Sequence, residues 1–314
     1  MMRSHFFQRT PTDCAKFAIL SMVAGIGLLL HASPLPAQTL QEQLQVPVFN
    51  ETAGENRNDA DFFLRLGSQS YHQGNLQKAI GYWLQALDLY HKVGDYEGIS
   101  RTYEFLGLTY ASLEQYDLAE DALRRRVGMA RTREDLQGQI YALNNLGTLL
   151  LQRRSPMAAY EVFSDALRIA LSVSNEEGEA ISLSNLGLVA TQSGNFLEAI
   201  KHHKAALVLH QRARDPISEA NTYNNLGDAY RGVAEYDLAI NSYQSARRIA
   251  LDSRDPVNRL RAITGIARSY VAMGETEKAL ETLGDWNLVA READDLRQEL
   301  TAVTLAARLY LNAG

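Results

Sequence analysis

The side chains best suited to binding chemistry are asparagines that recur at one position of a repeated segment. Asn145, Asn185 and Asn225 follow one another at a constant interval. Further asparagines lie close to them in the chain: Asn144, Asn221 and Asn224. An asparagine side chain offers both a hydrogen-bond donor and an acceptor, as a peptide group does. A row of them at repeat spacing could therefore hold an extended backbone without reading its side chains.

The same row has a structural interpretation. Asparagine is less favourable than alanine inside a helix by up to about 0.7 kcal/mol, so its use at three successive repeats suggests an interaction that offsets this cost. That interaction is either with a bound peptide or with neighbouring helices of the same chain. The residue types and their spacing leave both open.

Arginines become frequent at the corresponding positions toward the C-terminus. Arg231, Arg261 and Arg268 lie there with Asp228 among them, and Arg65 stands in the first repeat where later repeats have asparagine. Guanidinium groups bind carboxylates in a two-bonded fork. The predicted partner is therefore a protein or peptide segment, acidic at this end, although a solvated set of charges paired with itself is the alternative. The full set of predicted peptide-binding residues is Arg65, Asn144, Asn145, Asn185, Asn221, Asn224, Asn225, Asp228, Arg231, Arg261 and Arg268.

Other chemistry has little support in the sequence. His202, His203 and His210 share one predicted helix, but a metal site would need more convergent ligands. Phosphate-binding glycine loops and nucleophile motifs are lacking. The net charge of −6 argues against nucleic-acid binding, which usually depends on a basic surface. No enzyme activity, metal or cofactor is predicted.

These residues sit in a segment that is copied with a period of about 40 residues, which is typical of helical repeat arrays. Small residues recur at one position and alanine recurs twelve residues later. The small residues are Gly67, Gly107, Gly147, Gly187, Gly227 and Ala267, and the alanines are Ala79, Ala119, Ala159, Ala199, Ala239 and Ala279. Apolar residues at helical spacing flank both positions in two blocks per repeat. Each repeat is therefore predicted to be a helical hairpin whose two helices approach closely at the small residues.

Residues typical of helix termini mark the ends of these helices. Gly74, Gly194 and Gly274 stand where the first helix of a repeat must end. Ser155 and Pro156 are expected to open a second helix. One position between repeats always carries a residue that can cap a helix N-terminus: Asp95, Asp135, Asn175, Asp215, Asp255 and Asp295.

The pattern Leu-Gly-x-x-Tyr, followed by Gly and then Ala-x-x-x-aromatic-x-x-Ala, resembles the tetratricopeptide repeat in its longer variant, as in kinesin light chains. The resemblance covers six units, 60–299, and a terminal first helix, 300–314. It implies an all-α, right-handed superhelical solenoid of antiparallel helix hairpins whose first helices line a concave groove. It also implies that Asn145, Asn185 and Asn225 contact bound peptide. Departures from the pattern are Ser70, Arg126, His203 and Trp286.

The N-terminal residues have the order of a secretory signal. Basic residues precede the uncharged apolar run 17–30, and Ala37 ends a stretch of small residues at which cleavage is expected. We therefore expect residues 1–37 to be a signal peptide and 38–59 a flexible lead-in, with the mature chain periplasmic or secreted. An uncleaved segment that anchors the chain in a membrane is the alternative. Cys14, the only cysteine, lies before the apolar run, which excludes a lipoprotein signal.

The terminal helix carries more apolar residues than one neighbour can cover. Leu305 and Leu311 are expected to point away from the sixth repeat. Contiguous apolar exposure of this kind usually marks an interface. The functional prediction is an exported protein-interaction or scaffold module that binds a peptide in the groove. The alternative is an assembly subunit that associates with itself through this helix or the convex face.

Overall fold

A computed structural model describes residues 55–292 and 294–313. This part of the chain holds thirteen α-helices and no strand, in two compact units that divide after Val173. Unit 1 contains α1 Glu55–His72, α2 Leu76–Val93, α3 Tyr96–Ser112, α4 Tyr116–Thr132, α5 Leu136–Gln152 and α6 Pro156–Ser172. Unit 2 contains α7 Glu176–Gln192, α8 Phe196–Ala213, α9 Pro216–Gly232, α10 Tyr236–Asp252, α11 Pro256–Met273, α12 Thr276–Glu292 and α13 Leu296–Ala313.

The prediction of an all-α chain of helix hairpins, repeated at the period of the sequence pattern, is confirmed. Helix α1 begins at Glu55, inside the predicted lead-in. The predicted signal peptide and the rest of the lead-in lie outside the described residues. In the described ranges, no helix is long and apolar enough to cross a membrane.

Each connection between helices contains one residue in the left-handed conformation, and this residue recurs every 20 positions from Gly74 to Asp294. Gly74, Gly194 and Gly274 have φ of 76°, which confirms the predicted ends of those first helices. Most other connections use residues with a Cβ there, which costs about 1–2 kcal/mol per position. The turn geometry is therefore imposed by the packing of the helices that it joins.

The predicted caps between repeats are confirmed. Six side-chain oxygens each accept a hydrogen bond from the backbone N–H three residues later, at 2.8–3.1 Å. Pro156 stands in the first turn of its helix, as expected, and Pro216 and Pro256 do the same in theirs. Ser155 precedes Pro156 but makes no side-chain cap hydrogen bond. The five aspartates and Asn175 thus fix where each first helix after α1 begins.

The small residues let the two helices of a hairpin touch. The six alanines of the second helices have no exposed surface. A bulky side chain four residues later lies directly on the glycine of the first helix: a Cβ on Gly147 would lie 2.5 Å from Cε1 of Phe163, and one on Gly227 would lie 2.5 Å from Cε1 of Tyr243. At the contact between the two helices of a hairpin, which we call the hairpin seam, a glycine of the first helix therefore packs against a large side chain of the second.

This seam predicts opposite effects for two glycine-to-alanine changes. Gly147→Ala should lower the free energy of unfolding by about 1–3 kcal/mol, because the new methyl group overpacks against Phe163. Gly128→Ala in α4 is the matched control, since a Cβ there meets nothing within 4 Å. It should raise the free energy of unfolding by up to about 1 kcal/mol through helix propensity. Urea unfolding of both variants checks the difference, and equal effects would contradict it.

Candidate functional site

In unit 1, one predicted asparagine belongs to a buried ionic network. Glu104 of α3 accepts a hydrogen bond at 2.9 Å from Nδ2 of Asn145 on α5. Its other oxygen lies 3.0 Å from Nη2 of Arg126 on α4. All three residues are buried, and neither Asn145 Oδ1 nor Arg126 Nη1 has a hydrogen-bond partner. Arg126 occupies the position that is alanine in four other repeats. The positive charge that it brings into the interior is paired with the carboxylate of Glu104 on α3.

In unit 2, Arg261 of α11 organises a second network. Its guanidinium group donates to Oδ1 of Asn221 at 2.9 Å, to Oδ1 of Asn225 at 2.6 Å and to Oδ2 of Asp228 at 2.6 Å. These three acceptors lie on α9, so the bonds tie together the first helices of two successive repeats. Next to them, Asn224 donates to the carbonyl and side-chain oxygens of Asn258, both at 3.1 Å.

Asp228 is the centre of charge in this second network. Tyr243 donates its hydroxyl to Oδ1 of Asp228 at 2.6 Å, and Nη2 of Arg231 lies 3.7 Å from the same oxygen. Burial by itself would raise the pKa of Asp228, but the charge of Arg261 and the hydrogen bonds from Tyr243 and Arg261 outweigh it and lower that pKa. Burial and the Asp228 charge raise the pKa of Tyr243. Asp228 therefore stays ionised well below neutral pH.

The network has one edge that reaches solvent. The side chains keep 26% of their surface exposed at Arg261, 31% at Asp228 and 37% at Arg231. Arg268, which has in α11 the position that Asp228 has in α9, is exposed, with Cζ 6.0 Å from the centroid of the Trp286 ring. Two arginines pair with Asp228 and a third, Arg268, is exposed on the same helix as Arg261, so arginine outnumbers aspartate here on a chain whose net charge is −6.

The expectation that the asparagines face an open groove is wrong. All six are buried, with at most 9% of the residue exposed: Asn144, Asn145, Asn185, Asn221, Asn224 and Asn225. Their described amide contacts are with neighbouring helices or, for Asn144, with the carbonyl of Ile140 in its own helix. For Asn145, Asn221 and Asn225 the physical reason is that a charged side chain of a neighbouring repeat bonds the amide and holds it between the first helices. The structural interpretation of the row fits these contacts.

The remaining predicted residues lie in different places. Arg65 is exposed on α1. Asp228, Arg231 and Arg261 come together in one network, and Arg268 is exposed on the same helix as Arg261. Sequence reasoning missed Glu104, Tyr243 and Asn258 as members of the two networks. The signal was available for one bond, because Asn221 and Arg261 are one full repeat apart and so occupy equivalent positions in neighbouring repeats.

The histidines do not form a metal site. Over the described ranges, no group of three potential ligands is close enough to hold a metal ion. His203 fills the position that is aromatic in three other repeats and packs against Gly187, with neither ring nitrogen bonded. Burial, with the charges of Arg261 and His202, lowers the pKa of His203 to about 3. It is therefore a neutral core residue at physiological pH.

A model of the tetratricopeptide repeat matches residues 60–132, 138–209, 178–252 and 218–285. These matches span most of the chain and follow the observed hairpins. The chain belongs to the tetratricopeptide repeat family. A search of curated proteins gives no significant match.

Solved structures with this fold are distant in sequence. A tetratricopeptide repeat sensor ATPase of the STAND class from Pyrococcus horikoshii has a TM-score of 0.68 and 16% identity, covering 98% of this chain and 50% of that one. A chain of the APC/C hetero-tetramer Cut9–Hcn1 has a TM-score of 0.63 and 19% identity, covering 95% of this chain and 53% of that one. A Rap protein complexed with competence and sporulation factor has a TM-score of 0.60 and 13% identity, covering 98% of this chain and 88% of that one. At these sequence identities, the similarity shows only that the chains share a fold.

Proposed function

We propose that this chain is a non-catalytic interaction module that holds an acidic segment of another protein at the basic edge of unit 2. The observation that carries the proposal is the excess of arginine at this edge. Arg231 and Arg261 pair with Asp228, and Arg268 is exposed on the same helix as Arg261, on a chain whose net charge is −6. A local basic surface of this kind attracts and orients an acidic partner.

Two of the arginines have the freedom to bind. Arg231 keeps 37% of its side-chain surface exposed and makes one ion pair, at 3.7 Å with Asp228. Arg268 is exposed, and no ion pair of its guanidinium is found among the described residues. A guanidinium group can take a carboxylate through two parallel hydrogen bonds. Arg261, by contrast, is committed to Asn221, Asn225 and Asp228, so its role is to fix the network beneath the binding edge.

Two structural relatives support an interaction role. The Rap protein is described as complexed with competence and sporulation factor, and Cut9 is described in a hetero-tetramer with Hcn1. Repeat arrays offer extended surfaces that suit the recognition of other chains. We carry over to this chain only the general role of binding a protein or peptide.

Selection from a random peptide library tests the proposal. Peptides about a dozen residues long would be displayed on phage and selected on the purified chain. We expect enrichment of Asp and Glu, and we expect the double change Arg231→Ala and Arg268→Ala to weaken the selected peptides about tenfold or more. Arg248→Ala, an exposed arginine of α10, is the matched control and should have no effect. Selected peptides without acidic residues, or equal losses in control and double variant, would contradict the proposal.

A further inference from the structure

The last helix of the described chain leaves one apolar face uncovered. On one side of α13, Ala302 is buried and Leu305 and Leu309 are partly buried against α11 and α12. The expectation that Leu305 points away from the sixth repeat is therefore wrong, because α13 turns this side into the core. The opposite side exposes Leu296, Leu300, Val303, Tyr310 and Leu311.

The preceding repeats define what covers this face elsewhere in the chain. Ala307 stands one repeat after Ala267 and two repeats after Gly227. At that position Gly67, Gly107, Gly147, Gly187 and Gly227 each lie against a bulky side chain of the second helix in the same hairpin. Val303 corresponds likewise to Ile263, which is 1% exposed. In the preceding hairpins this face is covered by the antiparallel second helix, and within the described residues no helix covers it on α13.

The spacing of the exposed residues suits a second copy of the same helix. Leu296, Leu300, Val303, Ala307 and Tyr310 follow one another at intervals of four, three, four and three, which is the spacing of a helix–helix seam. If two such helices run antiparallel about a two-fold axis near residue 305, Ala307 faces Val303 of the other copy. In the same register Leu300 faces Tyr310, so smaller residues meet larger ones as in the hairpins.

We propose that α13 is a homodimerisation surface, on which α13 of a second copy takes the place that a second helix has in the preceding repeats. A two-fold contact of this kind is closed and gives dimers rather than filaments. A single helix pair is small for a protein interface, so we expect dissociation constants in the micromolar range. This surface is separate from the basic edge of unit 2, and its test does not depend on the proposed function.

Sedimentation equilibrium of the full chain over a wide concentration range tests the dimer. We expect a monomer–dimer equilibrium that Leu300→Glu weakens at least tenfold. Leu197→Glu is the matched control: Leu197 of α8 is 76% exposed and Leu300 67%, so neither change should disturb folding, and circular dichroism would verify this. A chain that stays monomeric at all concentrations would overturn the proposal and leave another protein as the occupant. A dimer that Leu300→Glu does not weaken would also overturn it.

Disulfide trapping tests the antiparallel register. In a Cys14→Ser background, an equimolar mixture of Val303→Cys and Ala307→Cys chains should cross-link more strongly than either variant alone, because these two positions face each other across the two copies. Cross-linking in the mixture that is no stronger than that of either variant alone would contradict the register.

Discussion

Glu104→Ala is expected to lower the free energy of unfolding of unit 1 by about 3–5 kcal/mol, because it leaves Arg126 buried without its counter-charge. Arg126 is buried, and its Nη1 already lacks a partner. The change also removes the acceptor for Nδ2 of Asn145. The cost is therefore that of an uncompensated buried charge, added to that of an unbonded amide.

The measurement is urea unfolding followed by the fluorescence of Trp83. Trp83 lies in unit 1 and Trp286 in unit 2, and the chain has no other tryptophan, so a Trp286→Phe background reports on unit 1. Arg124→Ala on the same helix is the control, since its exposed pair with Glu120 should contribute less than about 0.5 kcal/mol.

A double variant distinguishes the effect of the buried Arg126 charge from the effect of losing the hydrogen bond to Asn145. Glu104→Gln together with Arg126→Ala keeps an acceptor for Asn145 and restores the alanine found at this position in other repeats. We expect its stability to lie within about 1 kcal/mol of the unmodified chain, because no buried charge remains. A loss in the double variant as large as that of Glu104→Ala would show that the buried ion pair is not the cause.

His203→Phe is expected to stabilise unit 2 by about 1–3 kcal/mol at neutral pH, because it removes two buried ring nitrogens that have no partner. Phe163 fills the equivalent position against Gly147, so the larger ring fits this seam. The same change should remove a dependence of stability on pH.

The sign of that dependence follows from the lowered pKa. His203 has a pKa of about 3 in the folded chain, against about 6.5 for an unfolded histidine. The unfolded chain therefore binds the extra proton as the pH falls below about 6.5, and stability decreases by about 1.4 kcal/mol per pH unit down to about pH 3. Arg261, His202 and Asp228 are the charged or titratable groups that act on this ring, and Arg261 opposes its protonation.

Unfolding of unit 2 between pH 7 and pH 4.5, followed through Trp286 in a Trp83→Phe background, measures this effect. The unmodified chain should lose about 2.5 kcal/mol over that interval, and His203→Phe should lose much less. His202→Gln is the comparison at the neighbouring position: it removes a smaller contribution to the lowered pKa of His203 and should change the slope little, because burial is the largest cause. An equal slope in His203→Phe would place the titrating group elsewhere.

The repeat pattern predicts the hairpins well because each repeated residue has a local physical role. Asp135 caps the helix that begins at the next residue, and Gly147 makes room for Phe163 within the same hairpin. Both contacts join residues that are close in sequence, within one repeat or at the boundary between two. The repeat period is therefore enough to predict them.

The orientation of the asparagines could not be predicted in the same way. Asn145 bonds Glu104, which is 41 residues away, and Asn225 bonds Arg261, which is 36 residues away. Glu104 is the only acidic residue at its position in the repeats, and the position of Arg261 is arginine in only one other repeat, at Arg101. Whether an amide meets solvent or a neighbouring helix depends on these partners, so the repeat pattern alone could not choose between the two interpretations.

The most direct test of the proposed acidic-segment binding is a charge exchange at the basic edge. One peptide selected on the purified chain would be made in its acidic form and in a form with each acidic residue changed to lysine. Isothermal titration would measure both against the unmodified chain and against the double variant Arg231→Glu and Arg268→Glu. We predict that the unmodified chain binds the acidic form, more weakly as salt increases, and that the double variant prefers the lysine form. The same affinity of both chains for the acidic form would contradict the account.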